Sequence, residues 1–206
     1  AQETDIRASV GVHPHEVEKT PAAAIDEIRR MAGEPRVVAI GEIGLDFFRN
    51  LSPQEMQREW FARHLELAAV LDLPVIVHTR DAVDEMLDTL ERLAPPRRGV
   101  LHCWSGNAEQ ARRAVALGFC LGFGGTLTYG EDSLEEAARV TPRENLLLET
   151  DAPYLVPEPK DTKRNEPSLL PRVRARLAGI RGESEEEVDA FTTENAIRLF
   201  ALATAG

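Results

Sequence analysis

The stretch LLLETDAPYL, residues 146–155, drives three leucines in succession into Glu149, Thr150 and Asp151, and a proline at 153 then bars continuation. A buried carboxylate without a partner costs several kcal/mol. An apolar strand that ends on two carboxylates therefore predicts a positive or hydrated site at its carboxyl end. Reading outward, five more apolar runs are short, continuous and rich in β-formers: Ala8 to Val12, Val37 to Ile40, Val75 to Val77, Gly99 to Leu101 and Phe119 to Phe123. Continuous runs of this kind suit strands buried on both faces.

Helical patterns separate the runs. Thr20-Pro21 and Ser52-Pro53 place a hydroxyl before a proline, and Ser52 with Glu55, like Ser184 with Glu187, has capping-box spacing. Gly118 stands just past a helix expected from about Asn107 to Leu117. Strand and helix alternate along the whole chain, and right-handed crossovers between parallel strands lead to an open doubly wound sheet or a closed barrel. No linker divides the 206 residues, so one domain spanning 1–206 is expected.

Composition narrows the function. The formal net charge of -11 disfavours holding nucleic acid on a broad basic surface, which leaves a local groove or bound cations for that task. Two cysteines, Cys103 and Cys120, are too few for a disulfide framework, and no apolar stretch is long enough to span a bilayer. A cytoplasmic protein without membrane partners is expected.

The polar residues at the strand ends form a pattern. His13 follows the first run, Glu42 the second, His78 the third, His102 the fourth, and Glu149 and Asp151 the last. In a parallel barrel all the carboxyl ends open on one face, where such folds carry their active sites. Imidazoles and carboxylates converging there are ligands for a divalent cation: zinc takes both types, and magnesium or manganese gains ground as carboxylates dominate. One histidine after a strand is an ordinary hydrogen-bonded residue; several such endings in one chain are harder to explain that way. His64 falls inside the helix after Ser52 and is expected to be a core histidine.

The strings GVHPHE (11–16), AIGEIGLDF (39–47), LPVIVHTRDA (73–82), LHCWSG (101–106), LLLETDAPYL (146–155) and RNEP (164–167), taken in order, resemble the TatD family of metal-dependent deoxyribonucleases, which are amidohydrolase-like barrels. The resemblance runs from about Val10 to Phe200. It implies a TIM (β/α)8 barrel type of α/β fold and hydrolysis of phosphodiester bonds in DNA, in some members as a 3′ to 5′ exonuclease on single strands. It implies one or two divalent ions (Mg2+, Mn2+ or Zn2+) held by Glu42, His78, His102 and Asp151. Asp151 would also serve as general base, and His13, Arg164 and Asn165 would contact the substrate. Family members commonly open with a strand ending in His-x-His, which the present sequence lacks. Six of eight barrel strands are expected, with oligomerisation through the exposed edge a consequence. Two other readings compete: a related barrel hydrolase of a small amide, ester or lactone, and an inactive fragment serving as a binding module.

Overall fold

The structure is a computed structural model that describes residues 6–93, 95 and 98–202. It divides into two compact units, one reaching Gly99 and the other beginning at Val100.

In the first unit, β1 (Ala8–Val10), β2 (Val37–Asp46) and β3 (Val75–Arg80) pair in parallel and in chain order, joined through α1 (Ala24–Met31) and α2 (Gln54–Leu71), and α3 (Val83–Leu93) follows β3. Ile40, Ile43, Leu45, Val75 and Val77 are fully buried, as are Phe61, Leu65, Met86 and Leu87 of the helices. Residues of both parities along β2 are buried, so the strand is covered on both faces, which is why its sequence reads as an apolar run rather than an alternation. Two of the expected strand limits are too short. β2 continues six residues past Ile40, through a register irregularity between Ile40 and Ile43, and β3 continues through His78 to Arg80. Glu42 and His78 therefore lie within strands. Gly44 pairs with His78 at a φ of +138°, and a Cβ there would stand 2.0 Å from the His78 carbonyl oxygen. Only glycine allows that approach.

The second unit pairs β4 (Gly99–Leu101), β5 (Cys120–Phe123) and β6 (Leu146–Leu148), again parallel and in chain order. Its helices are α4 (Ala108–Ala116), α5 (Asp132–Val140), α6 (Leu170–Arg181) and α7 (Glu185–Phe200). Trp104, Phe119, Leu121, Phe123, Val173, Leu177 and Val188 fill the core. The buried Asn195 of α7 donates from Nδ2 to the carbonyls of Arg143 and Leu146 at 2.7 and 2.8 Å, fixing the start of β6.

The helix signals fared unevenly. Ser184 and Glu187 form the expected capping box, and Gly118 adopts a φ of 87° just after α4. Neither Thr20 nor Ser52 is the N-cap of the helix that follows it. Thr20 Oγ1 donates back to the Glu16 carbonyl at 2.8 Å, and α1 starts only at Ala24. Ser52 Oγ donates to the His15 carbonyl at 3.0 Å and accepts from the Glu18 amide at 3.2 Å. A carbonyl four residues back took the Thr20 hydroxyl, and tertiary partners took that of Ser52.

Candidate metal centre

In the first unit the carboxyl ends of the strands carry a cluster of three imidazoles and two carboxylates. Asp46, the last residue of β2, is 1% exposed. Its Oδ2 lies 2.8 Å from His15 Nε2 and 3.0 Å from His78 Nε2, and its Oδ1 accepts the Arg49 amide at 2.7 Å. The other nitrogen of His78, Nδ1, lies 2.9 Å from Glu42 Oε1, and His13 Nε2 faces the same oxygen at 3.7 Å. Among the described residues, His13, His15 and His78 are the group whose possible ligand atoms all lie within 4.8 Å of one another.

The chain around the cluster holds it rigidly. Gln57 of α2 is fully buried; its Oε1 accepts the Asp46 amide at 2.8 Å, and its Nε2 donates to the carbonyls of Asp46 and Ser52. His13 Nδ1 accepts the His15 amide at 3.2 Å, which leaves Nε2 as the nitrogen turned toward Glu42. His64 is buried as expected, and it supports the same loop. Its Nδ1–H donates to the Trp60 carbonyl at 2.7 Å, and its Nε2 accepts the Val12 amide at 3.2 Å.

Electrostatics suit a cation. Burial, with His78 close by, lowers the His13 pKa to about 4 against the pull of Glu42, so its imidazole is neutral at pH 7, the form that binds metal. For Asp46, burial would raise the pKa, but the Arg49 amide, His15 and His78 together outweigh it and hold the carboxyl below the usual range. A neutral imidazole has one N–H to give, yet both nitrogens of His78 meet carboxylate oxygens. The carboxylate oxygens on both sides of the ring favour positive charge here, and the mixed nitrogen and oxygen donors are of the kind that bind a divalent cation.

In the second unit, His102 follows β4 and Glu149 and Asp151 follow β6. His102 Nδ1 lies 2.9 Å from Glu149 Oε1 and its Nε2 3.7 Å from Asp151 Oδ1. The same Glu149 oxygen accepts the Cys103 amide at 2.5 Å. A Cβ on Gly122 would stand 2.2 Å from Glu149 Oε2, so β5 leaves the space this carboxylate occupies.

Of the residues expected at the site, Glu42 and His78 meet in the first unit, with His13 beside Glu42, and His102 and Asp151 meet in the second. Asn165 is buried and structural in its contacts. Its amide donates to the Pro153 carbonyl at 3.0 Å and its Nδ2 to the Leu155 carbonyl at 3.2 Å, tying down the loop that follows Asp151. Arg164 is exposed, and its carbonyl accepts Thr162 Oγ1. Sequence reading missed His15 and Asp46 as members of the cluster. Period-two spacing from Glu42 through Gly44 to Asp46 would have found the latter had β2 been carried past its glycines.

The sequence model of the TatD related DNase family matches residues 1–201. This chain belongs to the TatD-related DNase family. TatD of Escherichia coli K12, named a 3'-5' ssDNA/RNA exonuclease, is 41% identical over 203 residues, covering 95% of this chain and 78% of that one. YabD of Bacillus subtilis, named an uncharacterized metal-dependent hydrolase, is 38% identical over 199 residues, with 96% and 78% covered. The crystal structure of YjjV, a TatD homolog from Escherichia coli, matches with a TM-score of 0.90 at 36% identity, over 96% of this chain and 77% of that one. The chain is a TatD-like metal-dependent hydrolase with the expected barrel-type parallel α/β fold. No helix among the described residues is long and apolar enough to cross a membrane.

Proposed function

We propose that this TatD-family hydrolase cleaves phosphodiester bonds of single-stranded nucleic acid, DNA foremost, removing nucleotides from the 3′ end. The observation that carries the reading is the packing of His13, His15 and His78 between the carboxylates of Glu42 and Asp46. The TatD relatives named for action on single-stranded DNA and RNA supply the substrate class.

Glu42 and His78, with His102 and Asp151, are the proposed ligands for one or two divalent ions. A bound ion would polarise a phosphoryl oxygen, make an attacking water more acidic and offset charge developing on the phosphate. Asp151 is proposed as the general base that orients the water and takes its proton, a task suited to a half-exposed carboxylate beside a histidine. Asp46 fixes the ring orientation of His78 and His15, the orienting role that carboxylates play toward ligand histidines. His13 is proposed to meet a substrate oxygen and the exposed Arg164 to reach the substrate from the loop after Asp151, while the buried Asn165 holds that loop in place.

The test is a substrate panel run with Mg2+ or Mn2+: a single-stranded oligonucleotide beside small esters, amides and lactones. Cleavage of the oligonucleotide is expected. Turnover of a small ester or lactone with no action on the oligonucleotide would contradict the proposal.

A further inference from the structure

Phe48 is a large apolar side chain that is 58% exposed. Isolated exposed apolar residues are common and need no explanation. This one differs in what backs it and where it stands. The Arg80 guanidinium carbon lies 3.9 Å from the centre of the Phe48 ring, at the short end of cation–π range. Arg80 has no carboxylate partner among the described residues, in a chain with 35 acidic residues against 24 basic.

Position supplies the rest. Arg80 ends β3 two residues after His78, so strand alternation puts the two side chains on the same face, roughly 6.6 Å apart along the strand. Asp46 is the register partner of Arg80 and precedes Phe48 by two residues. An open aromatic face and an uncommitted guanidinium thus adjoin the imidazole cluster, just outside the ends of the two strands that build it.

Each nucleobase of a single strand has a π-face, and each nucleotide brings a phosphate. We propose that Phe48, backed by Arg80, is a stacking platform for one nucleobase of the substrate, with Arg80 meeting the adjoining phosphate. The platform rests on the nuclease reading given above. It positions the strand and takes no part in bond cleavage. Stacking of this kind tolerates every base, so it supplies affinity without sequence preference. Arg80 adds local positive charge where the chain as a whole repels polyanions.

The experiment compares steady-state cleavage, with Mn2+, of a single-stranded oligonucleotide and of the same oligonucleotide with its 3′-terminal nucleotides abasic. On the intact strand, Phe48→Ala raises KM about tenfold, with a smaller change in kcat, whereas Phe48→Trp stays near wild type. On the abasic strand, wild type and Phe48→Ala converge, because no base is left to stack. Arg80→Gln weakens binding to all sequences alike and lowers the slope of log K against log salt by about 0.7. An unchanged KM for Phe48→Ala on the intact strand overturns the platform, as does an equal loss on both strands. If wild type cleaves neither strand, the nuclease reading itself fails, an outcome distinct from either of those.

Discussion

His64 Nε2 accepts the backbone N–H of Val12, one residue before His13, while its Nδ1–H is committed to the Trp60 carbonyl. This bond needs a neutral imidazole, because a proton on Nε2 would face the Val12 N–H. The fully buried ring has its pKa lowered to about 4, chiefly by burial, with the Trp60 carbonyl opposing.

The sign of the pH dependence follows. A histidine with a depressed folded pKa binds fewer protons folded than unfolded between about 4 and 6.5, so its contribution is complete above 6.5 and is lost as pH falls toward 4. The shift corresponds to at most about 3 kcal/mol. Urea unfolding of wild type should show stability declining over that window, and His64→Phe should flatten the decline. An equally steep decline in the variant would remove His64 as its source.

Asp46→Asn keeps an oxygen for the Arg49 amide but loses the charge that faces His15 and His78. Loss of such an orienting carboxylate typically costs 10- to 100-fold in metal affinity or activity, so a drop of about that size is expected here. Isothermal titration with Mn2+ reads it. Gln57→Leu should weaken binding in the same direction while also destabilising the fold by about 1–3 kcal/mol, since the Asp46 amide would be left buried without a partner.

Gly122→Ala puts a methyl group where Glu149 Oε2 now sits, 2.2 Å from the ideal Cβ position. Glu149 must move, and with it the contacts to His102 and the Cys103 amide. Overpacking of this sort costs about 1–3 kcal/mol. A lowered melting temperature together with reduced turnover is expected; a variant with wild-type turnover would show that Glu149 and His102 need not keep this arrangement.

Much of the fold could be read from the chain because strands covered on both faces have to be continuously apolar. The runs at Gly99–Leu101 and Leu146–Leu148 coincide with β4 and β6, and His102 and Asp151 stand just past them. β2 and β3 were read too short for a related reason. Gly41, Glu42 and Gly44 interrupt the apolar run of β2, and His78 that of β3, where the site takes over positions that packing would otherwise fill. The cost of truncating β2 was Asp46, whose burial beside two histidines no propensity reveals. His15 was passed over because its partner, Asp46, lies 31 residues away. Thr20 and Ser52 carried valid cap patterns, but carbonyls of the histidine loop and its neighbours claimed them.

His102→Ala should reduce cleavage of single-stranded DNA by more than about tenfold, since loss of an orienting neighbour alone costs that much and His102 is proposed as a ligand. Rates at saturating Mn2+ check this, and Cys120→Ser, a change at a buried thiol that opens β5, at the strand end opposite the one from which β4 leads to His102, serves as the reference substitution. Cleavage by His102→Ala at the wild-type rate would refute its assignment.

The central claim is that a divalent cation held by these histidines and carboxylates drives hydrolysis of single-stranded nucleic acid. The most direct measurement is a time course on 5′-labelled single-stranded DNA with chelator-stripped protein, before and after Mg2+ or Mn2+ is restored. The account predicts no cleavage by the stripped protein, then a ladder of products shortening from the 3′ end once metal returns, absent for His78→Ala. Intact DNA after metal is restored, or the same ladder from His78→Ala, would contradict it.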